Sequence, residues 1–217
     1  MSLTRRGFVR LAALGAALAA AGAAEAQLLQ QVRFEPAAEL GRRMEERLRK
    51  ASRPRYAQEV WVLVDNRESR LRVYRGDALI ESFFPVSLGR GGAKFQRYEG
   101  GRATPLGEFR VTRFNPRSKF HMFIGLDYPT PFHARQALET GVYSQQDYAD
   151  YFDYYRRYGS PPQQTVLGGF IGIHGLGEAN PDIHRRLHWT DGCVAVEDSQ
   201  INRLSLLVDI GTRVVIR

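Results

Sequence analysis

The sequence predicts a mainly β domain with a few helices, closed as a strand-dominated sandwich or barrel. Two observations lead there. From Glu59 onward apolar residues recur at every second position, in short runs separated by Gly, Pro, Asn and Asp turns. Helical periodicity is confined to two or three stretches, and no repeat or low-complexity tract appears beyond an Ala-rich amino terminus.

Residues 1–26 read as an export signal outside the fold. Thr4 to Arg10 form a twin-arginine pattern, and the apolar run Leu11 to Ala24 is shorter than the ~20 residues a membrane span needs. Ala24, Glu25 and Ala26 supply a small-x-small cleavage site before Gln27. The alternative is an uncleaved amphipathic or membrane anchor.

Residues 27–58 form a lead-in. Leu40, Met44 and Leu48 share one face of a helix from Pro36 to Lys50, with Glu45 and Arg49 paired at i,i+4. This helix packs on the domain or stands off it. Its dense charge reads as a solvated face, with wall or membrane contact as the second reading.

Residues 59–217 form the main domain. Val60, Val62 and Val64 alternate with Trp61, Leu63 and Asp65, a turn at Asn66 to Ser69 follows, and Leu71 and Val73 open the next strand. Another turn at Arg75 to Asp77 leads into Ala78 to Val86. Ser87 to Gly92 reads as a mobile glycine-rich exit, since no lysine-and-hydroxyl ending or helix follows to make it a nucleotide loop. Lys94 to Arg102 reads as a polar loop, and Thr104 to Gly107 as a turn into the strand Glu108 to Phe114. His121 and His133 read as surface or loop histidines. Residues 130–162 carry eight aromatics without strand alternation, either as a packed helix over Gln145 to Tyr158 or as a lid over substrate. A short helix from Ile201 and a last strand Arg213 to Ile216 complete the chain.

The chemistry concentrates in Ile171 to Asp198, which holds the only cysteine of the chain and three of its five histidines. Ile171 and Ile173 alternate with Gly172 and His174, as in a short strand whose polar face carries the imidazole. Cys193 stands where a tight Asp191-Gly192 loop enters the apolar run Val194 to Val196. An ordinary thiol pKa of ~8.5 leaves roughly 3% thiolate at neutral pH, so an imidazole that takes the proton is worth about 30-fold in reactive sulfur. Thr190 to Cys193 suits an oxyanion site, because glycine lets successive N–H groups turn toward one point. A zinc site of His174, His184, His188 and Cys193 is the rival, although structural zinc sites usually hold two or more cysteines.

His174, fifteen intervening residues, then Thr190-Asp191-Gly192-Cys193-Val194 resembles the signature of the L,D-transpeptidase catalytic domain, the YkuD domain. Arg102 to Phe109 (RATPLGEF) is similar to the family's Thr-Pro-x-Gly-x-Phe segment. Leu126 to Pro131 (LDYPTP) resembles the Tyr-Pro stretch of a subgroup whose cysteine motif reads Trp-Thr-Asp-Gly-Cys. The resemblance implies a sandwich or barrel, a Cys193 nucleophile, a His174 base, and Gly192, Asp191 and Gly175 as oxyanion or orienting groups. It further implies Thr190, His188 and Trp189 as substrate contacts, with no cofactor and no metal. The implied donor is a peptidoglycan stem tetrapeptide, cut before its terminal D-alanine. The acceptor is an amine of another stem peptide, a free D-amino acid or an outer-membrane lipoprotein, or else water. Asp191 stands where the family often has histidine, and is read as attracting a cationic acceptor. Ala195 stands where many relatives carry Arg or Asn, so a contact to the donor carboxylate is missing.

The chain carries a formal charge of +8, falling to +6 after cleavage at 26. Such a balance suits anionic polymers in general. Carboxylate-bearing wall peptides are the expected partner, nucleic acid is not, and a periplasmic monomer is expected. A wall-binding module with a buried, inert thiol is the non-enzymatic alternative.

Overall fold

The computed structural model describes residues 37–217, so the export signal expected at 1–26 and the first part of the lead-in lie outside the described residues. Ten strands and five helices follow one another in those residues. A lead-in helix α1 (Ala37–Ala51) precedes three antiparallel strands, β1 (Val60–Asp65), β2 (Arg70–Arg75) and β3 (Ala78–Phe83). The short β4 (Ala93–Lys94) and β5 (Thr104–Pro105) then pair with each other, ahead of the hairpin β6 (Gly107–Ser118) and β7 (His121–Leu126). Helices α2 (Pro131–Glu139) and α3 (Gln145–Tyr158) come next. The chain ends with β8 (Gly172–His174), α4 (Pro181–Arg186), β9 (Val194–Ala195), α5 (Asp198–Ser205) and β10 (Arg213–Ile216).

Eight strands form one mixed sheet in the order β3-β2-β1-β10-β6-β7-β8-β9. The fold class is therefore the expected one, mainly β with few helices. The twelve-residue β6 joins its two halves, because Gly107 to Arg110 pair with β10 while Val111 to Ser118 pair with β7.

Apolar residues on both faces of β1 explain its unbroken hydrophobicity. Val62 and Val64 enter the main core, whereas Trp61 and Leu63 meet Leu48 of α1 and Val215. The lead-in helix thus packs on the sheet. Its i,i+4 ion pair is Glu46–Lys50 at 2.8 Å, one position on from the expected Glu45–Arg49. Below it, the buried Arg213 guanidinium donates to both oxygens of Glu59 at 2.8 and 2.9 Å and also to the Arg53 carbonyl at 2.9 Å.

Two expectations change, and a third, the helix over Gln145 to Tyr158, is found as expected. Ser87 to Gly92 is no free exit: Ser87 bridges Ala195, Gly89 bridges Thr190, and Leu88 is fully buried. Backbone pairing captures this loop because its glycines let it lie close against residues 102–104. His133 is buried, not superficial. As the third residue of α2 its ring turns inward, stacks on Phe109 at 5.3 Å and accepts the Thr130 N–H at 3.3 Å, closing the helix start. The aromatic stretch forms helix α3, capped by Ser144, with Tyr151 buried and Tyr154 and Tyr158 exposed.

Candidate active site

β8 and β9 run parallel, with Ile173 opposite Val194 and His174 opposite Ala195. In that register Cys193 lies beside Gly172, and strand alternation puts its side chain on the face that carries His174. Ile173 and Val194 point the other way, into the core. Alternating hydrophobicity thus places the only cysteine and a buried histidine two positions apart on neighbouring strands.

The imidazole of His174 is almost fully enclosed. Phe120 stacks on it at 4.2 Å and Trp189 meets it edge-on at 5.9 Å. Nδ1 lies 2.6 Å from the Gly175 carbonyl oxygen, a contact that requires a proton on Nδ1 and leaves Nε2 as the acceptor. Burial pushes its pKa down to about 4, against the opposing pull of the Gly175 carbonyl.

Cys193 keeps part of its surface open. Its thiol donates to the Phe170 carbonyl at 3.5 Å, and among the described residues no hydrogen bond joins it to His174. Desolvation drives its pKa up to about 11, only partly offset by the Gly172 N–H and the Arg97 guanidinium. With the thiol turned to Phe170, burial favours the neutral thiol and the neutral imidazole.

The turn before Cys193 is held by Thr190. Its hydroxyl donates to the Cys193 carbonyl at 2.7 Å and accepts the Gly192 N–H at 3.1 Å. Gly192 has φ +133°, and a Cβ there would fall 2.8 Å from the Ala103 carbonyl, so only glycine fits. The Gly192 amide is thereby occupied, whereas the amides of Asp191 and Cys193 make no hydrogen bond among the described residues. Those two are the N–H groups open to an oxyanion.

Asp191 is exposed and faces Arg90 at 2.6 Å and Arg102 at 3.5 Å. His188 is exposed, its Nδ1 accepting the Leu88 N–H at 3.1 Å. The zinc rival does not assemble. His184 uses Nε2 on the Pro85 carbonyl and Nδ1 on Trp189, and no cluster of three or more His, Cys, Asp or Glu side chains suited to a metal ion occurs among the described residues.

Sequence reasoning missed Arg97. This buried guanidinium donates to the carbonyls of Ala103 at 2.9 Å, Leu167 at 2.7 Å and Asp191 at 3.4 Å, tying three loops beneath the cysteine turn. It also missed Phe120 and Asp198, whose Oδ1 accepts the Leu176 and Gly177 amides at 2.6 and 3.1 Å and braces the chain after His174. The glycines at 168 and 192, both packed against Arg97, were the one available signal.

The model of the family described as YkuD, L,D-transpeptidase catalytic domain, matches residues 59–216. A sequence search of curated proteins gives no match. Among solved structures, the helical cell shape determining protein Pgp2 from Campylobacter jejuni aligns with 80% of this chain and 55% of its own, at 18% identity and a TM-score of 0.50. Bd1075 from Bdellovibrio bacteriovorus aligns with 74% of this chain and 48% of its own, at 18% identity and a TM-score of 0.48. An L,D-transpeptidase from Xylanimonas cellulosilytica aligns over 76% and 63%, at 18% identity and a TM-score of 0.42. The chain spans about half the length of the first two of these proteins, and at such identity the likeness to Pgp2 concerns the fold alone. With a family match across most of its length, the chain belongs to the YkuD family of L,D-transpeptidase catalytic domains.

Proposed function

We propose that the domain is a cysteine acyltransferase acting on peptidoglycan stem peptides. The observation that carries this reading is the bond from His174 Nδ1 to the Gly175 carbonyl, which leaves Nε2 as a base on the face shared with Cys193. The reaction requires the Cys193 side chain to rotate away from Phe170 toward that base. Sulfur then attacks the carbonyl between the third residue and the terminal D-alanine, while Nε2 takes the thiol proton. Because the thiol is raised and the imidazole lowered in pKa, proton transfer accompanies attack instead of preceding it. The Asp191 and Cys193 amides receive the oxyanion. Its collapse expels D-alanine, whose amine leaves with the proton from His174, and a thioester remains on Cys193. An amine acceptor then gives a transferred peptide, and water gives hydrolysis.

Trp189 and His188 form the rim that contacts substrate, whereas Thr190 acts through the turn it holds. Arg90 and Arg102 leave the rim at Asp191 net positive, which removes the charge argument for Asp191 as an attractor of cationic amines. The subgroup with a Trp-Thr-Asp-Gly-Cys motif, export by the twin-arginine route, a periplasmic monomer and a part in wall remodelling or cell shape, as the name of Pgp2 suggests, belong to the same proposal. Incubation with a carbapenem tests it by mass. One adduct on Cys193, lost in Cys193→Ser, is the expected result. An unlabelled wild-type chain would instead favour a wall-binding module.

A further inference from the structure

A second concave site lies away from Cys193, between α1 and α2, with a cavity volume of about 650 Å³. Its floor is Glu108 of β6 and Arg213 of β10, strands separated from β9 by β7 and β8. Seven cationic and three acidic side chains line it, and the acids are already used: Glu139 by Arg43, Glu46 by Lys50 and Glu108 by Arg55. Arg213 is held by Glu59. Among the described residues no carboxylate pairs with Arg47, Arg53 or Arg135, so three exposed guanidinium groups converge on one groove without counter-charge.

Their chemistry narrows the ligand. Arg47 lies over the Phe132 ring at 4.2 Å, which fixes its plane and leaves its N–H edge for a planar anion. Guanidinium forks match carboxylates and phosphates alike. Gln136 lines the same groove, and its Nε2 makes no hydrogen bond among the described residues, so it adds a neutral donor beside the three guanidinium groups. A groove walled by two helices suits an extended chain better than a flat membrane surface, and an acidic peptide is an extended chain with the complementary charge.

We propose that the groove between α1 and α2 is a binding site for an acidic peptide, gripped by Arg47, Arg53 and Arg135 and read by Gln136. This site is independent of the chemistry assigned to Cys193. A fluorescein-labelled peptide of alternating glutamate and alanine, titrated with the full chain and followed by anisotropy, tests it. Combined Arg47→Ala, Arg53→Ala and Arg135→Ala should weaken binding at least about tenfold, and Gln136→Leu several-fold. Removing the same number of charges elsewhere, with Arg117→Ala, Arg156→Ala and Arg157→Ala, should change binding less than about twofold. Equal weakening by both triple variants, or no binding by the wild type, overturns the proposal. So does groove-dependent capture of phosphatidylglycerol vesicles, or competition by inorganic phosphate, without capture of the peptide. An unchanged rate of Cys193 alkylation in both triple variants confirms that each is folded.

Discussion

His174 Nδ1 and the carbonyl oxygen of its chain neighbour Gly175 are 2.6 Å apart. No side chain can be deleted to break this contact, so orientation of the imidazole is built into the turn after β8. The imidazole proposed as the base can be removed. His174→Ala should slow carbapenem acylation of Cys193 by about 10²- to 10⁴-fold, the usual worth of a positioned base, as read by mass against time. An unchanged rate would mean that the sulfur acts without it.

The thiol should titrate late. With its pKa driven to about 11 by desolvation, alkylation by iodoacetamide should keep rising past the ordinary thiol range, with no plateau below about pH 9. Arg97→Met removes a charge that holds this value down, and should move the profile to still higher pH. Arg97→Lys, keeping the charge, should move it less. A plateau near neutrality in the wild type would reveal a preformed ion pair.

Three buried histidines, His133, His174 and His184, make the fold acid-sensitive, each held below its ordinary value chiefly by burial. His133 and His174 are both lowered to about 4 by burial, so between that value and their ordinary 6.5 the unfolded chain binds more protons than the folded one. Their stabilisation is complete above about pH 6.5 and is lost as pH falls toward 4, roughly 2 kcal/mol for each histidine by pH 5. Urea unfolding at pH 7 and pH 5 measures the loss. His133→Gln should remove about 2 kcal/mol of it, whatever the other histidines and the carboxylates contribute in parallel.

Of the ion pairs, one carries stability and one does not. Glu59 and Arg213 are buried and share two hydrogen bonds, so Glu59→Gln leaves a guanidinium uncompensated and should cost about 3 kcal/mol. Asp191 with Arg90 is exposed on both sides, and Asp191→Asn should cost under about 1 kcal/mol. The same Asp191→Asn protein should keep its ratio of transfer to hydrolysis, because the two arginines already screen that carboxylate.

Strand periodicity made β1, β2 and β10 legible, and spacing from His174 to Cys193 marked the candidate pair. What escaped was decided by contacts between segments distant in sequence. Arg97 reads as one more charge in a polar loop, and only the folded chain shows Ala103, Leu167 and Asp191 turning their carbonyls to it. His133 reads as superficial because the ring it stacks on, Phe109, is contributed by β6. The thiol's turn toward Phe170 depends on a rotamer, which no pattern of residue types encodes.

Mass analysis of tetrapeptide muropeptides incubated with the protein tests the central claim most directly. The account predicts loss of the terminal D-alanine, with a transient thioester on Cys193, and no product from Cys193→Ser or His174→Ala. Products that persist in Cys193→Ser, or a wild-type chain that leaves every muropeptide intact, would contradict it.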